Sequence, residues 1–187
     1  VPLSRTNEAS KEGFNLVGNP FPSAVNWQSE WINKTNIENN TVWFRNNGLF
    51  STFNGNSKVG TLGADSIISP MQAFWVRVAN GETDGQIEFD PYSRIHKKTH
   101  LMKENTNTNP VMRLFLESAE GVDETVLCFP QNAEMGFEKF DSEKQIVNNS
   151  EVSQLYTQIG ELKLAINSFQ LNENAYVPVG IQTKEYG

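Results

Sequence analysis

The sequence has a single cysteine, Cys128, among 187 residues, which excludes an internal disulfide and any metal site built from several thiolates. Cys128 lies in the apolar run 125–129 (TVLCF), and we therefore predict that it is a small buried hydrophobic residue. The lack of disulfides says little about compartment, because many exported bacterial proteins have none.

Long hydrophobic runs are also missing. No apolar stretch approaches the roughly 20 residues that a membrane helix needs, and the start of the chain has no signal-peptide pattern. We therefore expect a protein that does not span a membrane. Because the chain begins at Val1 and not at Met, we also expect a processed piece of a longer product.

Basic residues are too few for a nucleic-acid partner. Lys and Arg number 15 against 22 Asp and Glu, which gives a net charge of −7 that repels phosphate backbones. The basic cluster 94–100 (RIHKKTH) is interpreted as a solvated strand end. Its two histidines, His96 and His100, have no third ligand beside them, so we predict no metal site there.

The serines lack the Gly-x-Ser-x-Gly turn of an activated nucleophile, and no paired carboxylates stand at a fixed spacing. We therefore predict that the chain is not an enzyme and needs no cofactor. Structural calcium held by turn aspartates is the open alternative to aspartates that simply form turns. The aspartates concerned are Asp84, Asp90, Asp123 and Asp141.

Turn-forming residues and alternating apolar residues are abundant. The runs 41–45 (TVWFR) and 49–53 (LFSTF) flank Asn-Asn-Gly at 46–48, which predicts a tight hairpin. Residues 72–78 and 86–89 are further strands, and Ser23 is a candidate cap for one short helix over 23–31, where Trp27 and Trp31 would share a face.

Period-two patterns continue after residue 110, at 112–116, 162–166 and 177–181, and Pro178 confines its strand to an edge or to a position that needs no ladder donor. Between the two blocks, the polar run 99–110 (THLMKENTNTNP) has no periodicity and is interpreted as a linker. We predict an all-β fold of two consecutive antiparallel, jelly-roll-like β-sandwich domains, 1–98 and 111–187, which stay folded independently when the linker is lost.

The run 13–27 (GFNLVGNPFPSAVNW), followed by 41–44 (TVWF) and 70–76 (PMQAFWV), resembles β-domains near the C-terminus of large type IX secretion surface proteins. Later segments are similar to the β-sandwich that precedes the secretion signal in those proteins. These segments are 124–129 (ETVLCF), 136–141 (GFEKFD), 154–156 (QLY), 164–167 (LAIN) and 177–180 (VPVG).

Two departures from the family pattern stand near the end of the chain. Phe169 follows Ser168 where the family commonly has proline, and the chain stops at Gly187 where another strand normally follows. We therefore expect a truncated second domain that lacks edge strands. The resemblance implies export across the outer membrane to the cell surface or the medium, and it implies no chemistry.

Tryptophan and arginine form the one candidate binding site. If both runs are regular strands, Trp43 shares a face with Arg45, and Trp75 shares a face with Arg77. Flat indoles beside hydrogen-bonding groups suit a sugar, because carbohydrate C–H faces stack on aromatic rings. In the alternative interpretation an opposing element covers both rings and makes them core.

The leading hypothesis is a non-catalytic structural or adhesion-type module of a larger secreted or cell-surface protein. Its expected partners are other domains of the same polypeptide, with surface glycans or host and matrix proteins as further candidates. The runner-up is a carbohydrate-binding module that uses the platform around Trp43 and Trp75.

Overall fold

The computed structural model of the protein describes residues 1–6, 12–46, 48–95, 109–119, 121–148, 152–171 and 175–183. Strands dominate these residues, whose helical content is two three-residue 3-10 helices, Glu38–Asn40 and Pro91–Ser93. The predicted all-β class is confirmed. None of the described residues belongs to a helix long and apolar enough to cross a membrane.

The first region comprises the described residues up to Ile95 and contains three antiparallel sheets, with strand orders β2-β9-β5-β6-β7, β1-β10-β4 and β11-β3-β8. Its strands are β1 Pro2–Ser4, β2 Phe14–Gly18, β3 Ala24–Asn26, β4 Ile32–Thr35, β5 Thr41–Asn46, β6 Leu49–Asn54, β7 Val59–Gly60, β8 Ile67–Ile68, β9 Ala73–Arg77, β10 Asp84–Phe89 and β11 Arg94–Ile95.

Alternation along the strands directs one face of each sheet to a common interior. In β9, Phe74 and Val76 are fully buried, whereas Trp75 and Arg77 point to the opposite face. Full burial of a large apolar side chain stabilises a fold by about 1.5–3 kcal/mol. The resulting cluster is Leu3, Val17, Val25, Trp27, Ile32, Val42, Phe44, Phe53, Ile68, Phe74, Val76, Val78 and Ile87.

The predicted hairpin is confirmed, because β5 and β6 pair antiparallel from Thr41 opposite Asn54 to Asn46 opposite Leu49. Gly48 has a φ of 85°, the conformation that such a turn requires. Asn47 lies outside the described residues.

The predicted helix over 23–31 is wrong. Ala24–Asn26 forms β3, and the Asn26 side chain then accepts a hydrogen bond from the backbone N–H of Gln28 at 3.0 Å. Such local side-chain bonds offer the backbone a turn in place of a helix. As a result Trp27 is fully buried while Trp31 is exposed, and the two rings do not share a face.

The second region comprises the described residues from 109 onward and forms one sheet of order β12-β13-β16-β15-β17, with β14 also paired to β16. Its strands are β12 Val111–Ser118, β13 Gly121–Cys128, β14 Ser142–Glu143, β15 Gln154–Ile159, β16 Leu162–Ser168 and β17 Val179–Gln182. All pairs are antiparallel except β13 with β16, which are parallel. The predicted strand over 177–181 begins at Val179, so Pro178 lies just before it, and β17 is at the edge of the sheet formed by the described strands.

The interior of the second region is more polar than that of the first. Cys128 is fully buried, as predicted, and clusters with Val126, Ile166 and Val59, the last of which belongs to the first region. The buried polar residues of the second region are Asp123, Glu124, Thr125, Asp141, Ser142, Lys144, Gln154, Thr157, Asn167 and Ser168.

Strands of each region pair only with strands of the same region among the described residues. Most of the predicted linker lies outside the described residues, as do His96 and His100. The division into independent domains 1–98 and 111–187 stays a prediction.

Candidate functional site

Trp43 of the predicted sugar platform is buried, with 1% of its surface exposed. Its indole Nε1 donates a hydrogen bond to the carbonyl oxygen of Glu143, in the second region, at 2.9 Å. The ring of Phe14 packs edge-on against it, with centroids 5.2 Å apart. Trp43 therefore presents its outward face to the second region and leaves no open ring face for a ligand.

The other platform residues are not gathered on one open surface. Trp75 lies opposite Trp43 in the β5–β9 pair and is half-buried. Arg45 is exposed and its guanidinium stands 4.9 Å from the Phe50 ring centroid. Trp43 thus lies on a covered surface, Trp75 beside it is half-buried, and Arg45 lies near the end of the β5–β6 hairpin.

Arg77 bridges the two regions. Its Nη1 lies 2.7 Å from a carboxylate oxygen of Glu143 and 3.2 Å from one of Glu38, while its Nε donates to the carbonyl oxygen of Glu12 at 2.8 Å. The Arg77 side chain is only 12% exposed, so the pairs are partly shielded from water. Burial raises the pKa of Glu38, and the charge of Arg77 opposes that shift.

We call the contact surface between the regions the junction. On the first region it is formed by Glu38, Asn39, Thr41, Trp43, Asn54, Asn56, Val59, Gly60, Leu62 and Arg77. On the second region it is formed by Arg113, Glu124, Val126, Cys128, Ile166 and the segment 138–143.

Asparagine amides of the first region hold the backbone of segment 138–143. Asn54 Nδ2 donates to the carbonyl oxygens of Asp141 at 2.9 Å and Lys139 at 3.2 Å. Asn39 Nδ2 donates to Asp141 at 3.0 Å and to Glu138 at 2.9 Å. These donors fix the main-chain path of the segment, while the side chains of Ser142 and Glu143 make further contacts with Thr41 and Arg77.

The Asp141 carboxylate holds the same segment from the other side. It accepts hydrogen bonds from the backbone N–H groups of Glu138 at 2.7 Å and Ser168 at 2.6 Å. Asp141 is fully buried, and burial raises its pKa to about 7 although both N–H donors act to lower it. Segment 138–143 is thus fixed on one side by its own region and on the other by the asparagine amides.

A second part of the junction joins β7 to the sheet of the second region. Glu124, whose side chain is 3% exposed, accepts from Arg113 at 2.6 Å and from the backbone N–H of Leu62. Arg113 also donates to the carbonyl oxygen of Gly60 at 3.0 Å. Val59 beside these bonds completes the apolar cluster of the second region.

Behind the junction, Lys144 and Asp123 form a buried ion pair. Their Nζ and Oδ1 atoms are 2.6 Å apart, and the side chains are 1% and 0% exposed. The second carboxylate oxygen of Asp123 accepts from the backbone N–H of Leu155 at 2.7 Å. Burial lowers the pKa of Lys144, and Asp123 counters that shift.

The four candidate calcium aspartates lie apart in different roles. Asp123 and Asp141 are buried as described, Asp90 caps the 3-10 helix at 91–93, and Asp84 is an exposed residue of β10. Within the described ranges, no group of three or more His, Cys, Asp or Glu side chains is placed to hold a metal ion.

Sequence reasoning singled out Trp43 and Arg77 as binding-site candidates, Asp141 as a possible calcium ligand and Cys128 as a buried residue, and it missed the other junction residues. The sequence has one signal at this place, an Asn-rich stretch around Asn39. In the structure Asn39 takes a φ of 51°, a conformation that asparagine tolerates better than most residues. That signal predicts a turn and says nothing about a partner some 100 residues away.

Residues 2–187 match the family described as Domain of unknown function (DUF8693). The chain belongs to this family. The match runs through both regions and the stretch between them. No curated protein and no solved structure matches the chain.

Proposed function

We propose that this member of the family is a non-catalytic structural and adhesion-type module of a larger secreted or cell-surface bacterial protein. In this proposal the two regions act as one rigid spacer. The junction is the observation that supports it, because Arg77, Trp43 and Asn54 of the first region each bind a specific group of the second region.

The resemblance of 13–27 and later segments to type IX secretion surface proteins supports the proposed location and the expected partners, which are other domains of the same polypeptide. The single family match over residues 2–187 is consistent with two regions that occur together. The alternative sugar platform is not carried forward, because Trp43 is covered at the junction.

Location is tested on intact source cells. An antibody raised against the purified module should label the cells without permeabilisation, and external protease should remove the signal. Labelling that appears only after the envelope is opened would refute a surface role.

The spacer role is tested in the full-length product. Replacing Arg77 and Asn54 together by Ala should lower the amount of intact protein at the surface, because the junction loses an ion bridge and its main carbonyl donor. A matched variant, Arg45→Ala with Asn148→Ala, changes exposed residues and should leave that amount unchanged.

The non-catalytic part of the proposal is tested with the purified module. It is expected to give no turnover with ester, peptide and glycoside substrates, and turnover of any of them would contradict the proposal.

A further inference from the structure

Two exposed aromatic residues of the first region stand side by side outside the core. Trp31 is 46% exposed and Tyr92 is 76% exposed. Their ring centroids are 5.2 Å apart and the planes are tilted by 46°. Large aromatic rings are usually buried, so an adjacent exposed pair is a feature that the stability of the fold does not require.

One residue, Asp90, fixes the backbone of both rings. The backbone N–H of Asp90 donates to the Trp31 carbonyl oxygen at 3.0 Å, and the Asp90 carboxylate accepts from the backbone N–H of Tyr92 at 2.8 Å. The hydroxyl of Ser29 accepts from the backbone N–H of Trp31 at 3.2 Å. The pair is therefore built by the fold, and binding would cost little ordering of its backbone.

The rings stand at the end of a polar sheet face. In the β4–β10 pair, Asn33 lies opposite Glu88 and Thr35 opposite Gln86, and all four are exposed. Alternation puts Trp31 in the same outward row as Asn33 and Thr35. The amide nitrogen of Gln86 donates to the Glu88 carboxylate at 2.9 Å, which holds that acceptor in place.

Charge narrows the ligand class. The outward residues of β4 and β10 include the carboxylates Glu88 and Asp84 and no Lys or Arg. The exposed Arg94 lies next to the rings and not on this sheet face, and its Nε donates to the carbonyl oxygen of Pro91 at 2.8 Å. This face repels anions and offers acceptors to hydroxyl donors, while the aromatic pair offers flat apolar area. A ligand with apolar C–H faces, many hydroxyl groups and no negative charge satisfies all of these features.

We propose that Trp31 and Tyr92, with the adjoining face of β4 and β10, bind a neutral oligosaccharide. The rings stack on sugar C–H faces, and Asn33, Gln86 and Glu88 hydrogen-bond the hydroxyl groups. Asp90 is a positioning residue that sets the ring geometry. This inference goes beyond the spacer role and does not depend on it.

The test uses the full 187-residue chain and isothermal titration with cellohexaose, xylohexaose, mannohexaose and chitohexaose as probes. At least one probe should bind, and Trp31→Ala should weaken that binding at least tenfold. Tyr176→Ala is the matched control, because Tyr176 is 83% exposed and lies in the second region. This control should leave the affinity unchanged.

The positioning role is tested at Asp90. Asp90→Ala should weaken binding severalfold, whereas Asp90→Asn keeps an oxygen for the Tyr92 N–H and should restore the affinity. If the Asp90 variants have equal thermal stability, a lower affinity in Asp90→Ala and its rescue in Asp90→Asn report the positioning of the rings and not a loss of folded protein.

A pentagalacturonate probe should bind more weakly than the best neutral hexasaccharide, because Glu88 and Asp84 on the sheet face repel its carboxylates.

The proposal is overturned if no neutral probe binds, if Trp31→Ala binds as well as the parent, or if the anionic probe is preferred. Binding of a proline-rich peptide at these rings with no response to the sugars would also overturn it, and would assign a protein ligand instead.

Discussion

The first region fills its interior with large apolar side chains such as Trp27 and Phe74, whereas the second buries Lys144 and three carboxylates. Most of the exposed large apolar side chains of the described residues also belong to the second region, Phe115 and Tyr176 among them. The two regions are therefore stabilised in different ways. An apolar interior tolerates small changes in geometry, but buried charges stabilise a fold only while each keeps its partner.

The junction connects these two kinds of interior. Val59 of the first region completes the apolar cluster of the second, and segment 138–143 is held by donors from the first. We predict that the second region depends on the first for its stability, whereas the sequence predicts two independently folding blocks. The division into independent domains stays a prediction, and the experiments below distinguish the two expectations.

The largest expected effect is that of Phe74→Ala. Phe74 is fully buried between Trp27 and Phe44, with ring centroids at 5.6 and 6.3 Å, so the cavity should cost about 3–5 kcal/mol. Hydrogen exchange measured at increasing urea concentrations should show that the backbone amides of both regions lose protection together. Leu16→Ala, at a 58% exposed position, should change stability by less than about 0.5 kcal/mol. Loss of protection in the first region alone would contradict the proposed dependence.

Asp123→Ala is expected to act on the second region only. It leaves the Lys144 ammonium buried without its carboxylate and removes the acceptor of the Leu155 N–H, at a cost of about 3–5 kcal/mol. The same urea series should show early opening of the second region and an unchanged first region.

Two further variants separate the loss of the ion pair from the loss of a surface charge. Asp84→Ala removes an exposed carboxylate and should be nearly neutral. Replacing both partners, Asp123→Leu with Lys144→Met, should recover most of the loss because no charge is then left unpaired. If Asp123→Ala costs no more than Asp84→Ala, the ion pair does not stabilise the region.

The sequence predicts the strands well because their signals are local. Alternation locates β9, β12 and β16, and Asn-Asn-Gly locates the β5–β6 hairpin. The helix over 23–31 is wrong because Asn26 and Ser29 bind the backbone two residues ahead, which favours turns over a helix.

The site could be predicted only in part. Alternation places Trp43 and Trp75 on the face opposite Phe44 and Phe74, as the structure has them. The hydrogen-bond partner of the Trp43 indole is Glu143, 100 residues away, and no pattern in a single sequence pairs residues at that distance. The same reason hides the bonds of Asn54 to segment 138–143.

Asn54→Ala tests the junction directly. It removes one donor to the carbonyl oxygens of Asp141 and Lys139, and it also removes the acceptor of the Asn56 and Ser57 N–H groups in the first region. The combined cost should be about 1–3 kcal/mol, and urea unfolding should show that both regions are destabilised. Asn148→Ala, at an exposed asparagine of that region, is the control and should have no measurable effect. An equal response of the two variants would argue against the junction.

The smallest expected effect is a pH dependence from Asp141. Burial raises its folded-state pKa from 3.8 to about 7, so the folded state holds more protons than the unfolded state between these values. The stability that this group contributes is therefore fully present below pH 3.8 and is lost as pH rises through 7.

Between pH 6 and 8 the loss should be about 1.4 kcal/mol, which urea unfolding at a series of pH values can measure. Asp141→Asn should remove this slope while the contributions of other titrating groups, such as Glu38, remain. Parallel slopes in the two proteins would show that Asp141 does not titrate in this range.

The dependence of the second region on the first is tested most directly by the NMR spectrum of isotope-labelled residues 111–187, recorded alone and with unlabelled residues 1–98 added. We predict poorly dispersed amide signals for the isolated segment and a dispersed β-sheet spectrum once the first region is present. A fully dispersed spectrum that does not change on addition of residues 1–98 would contradict the account.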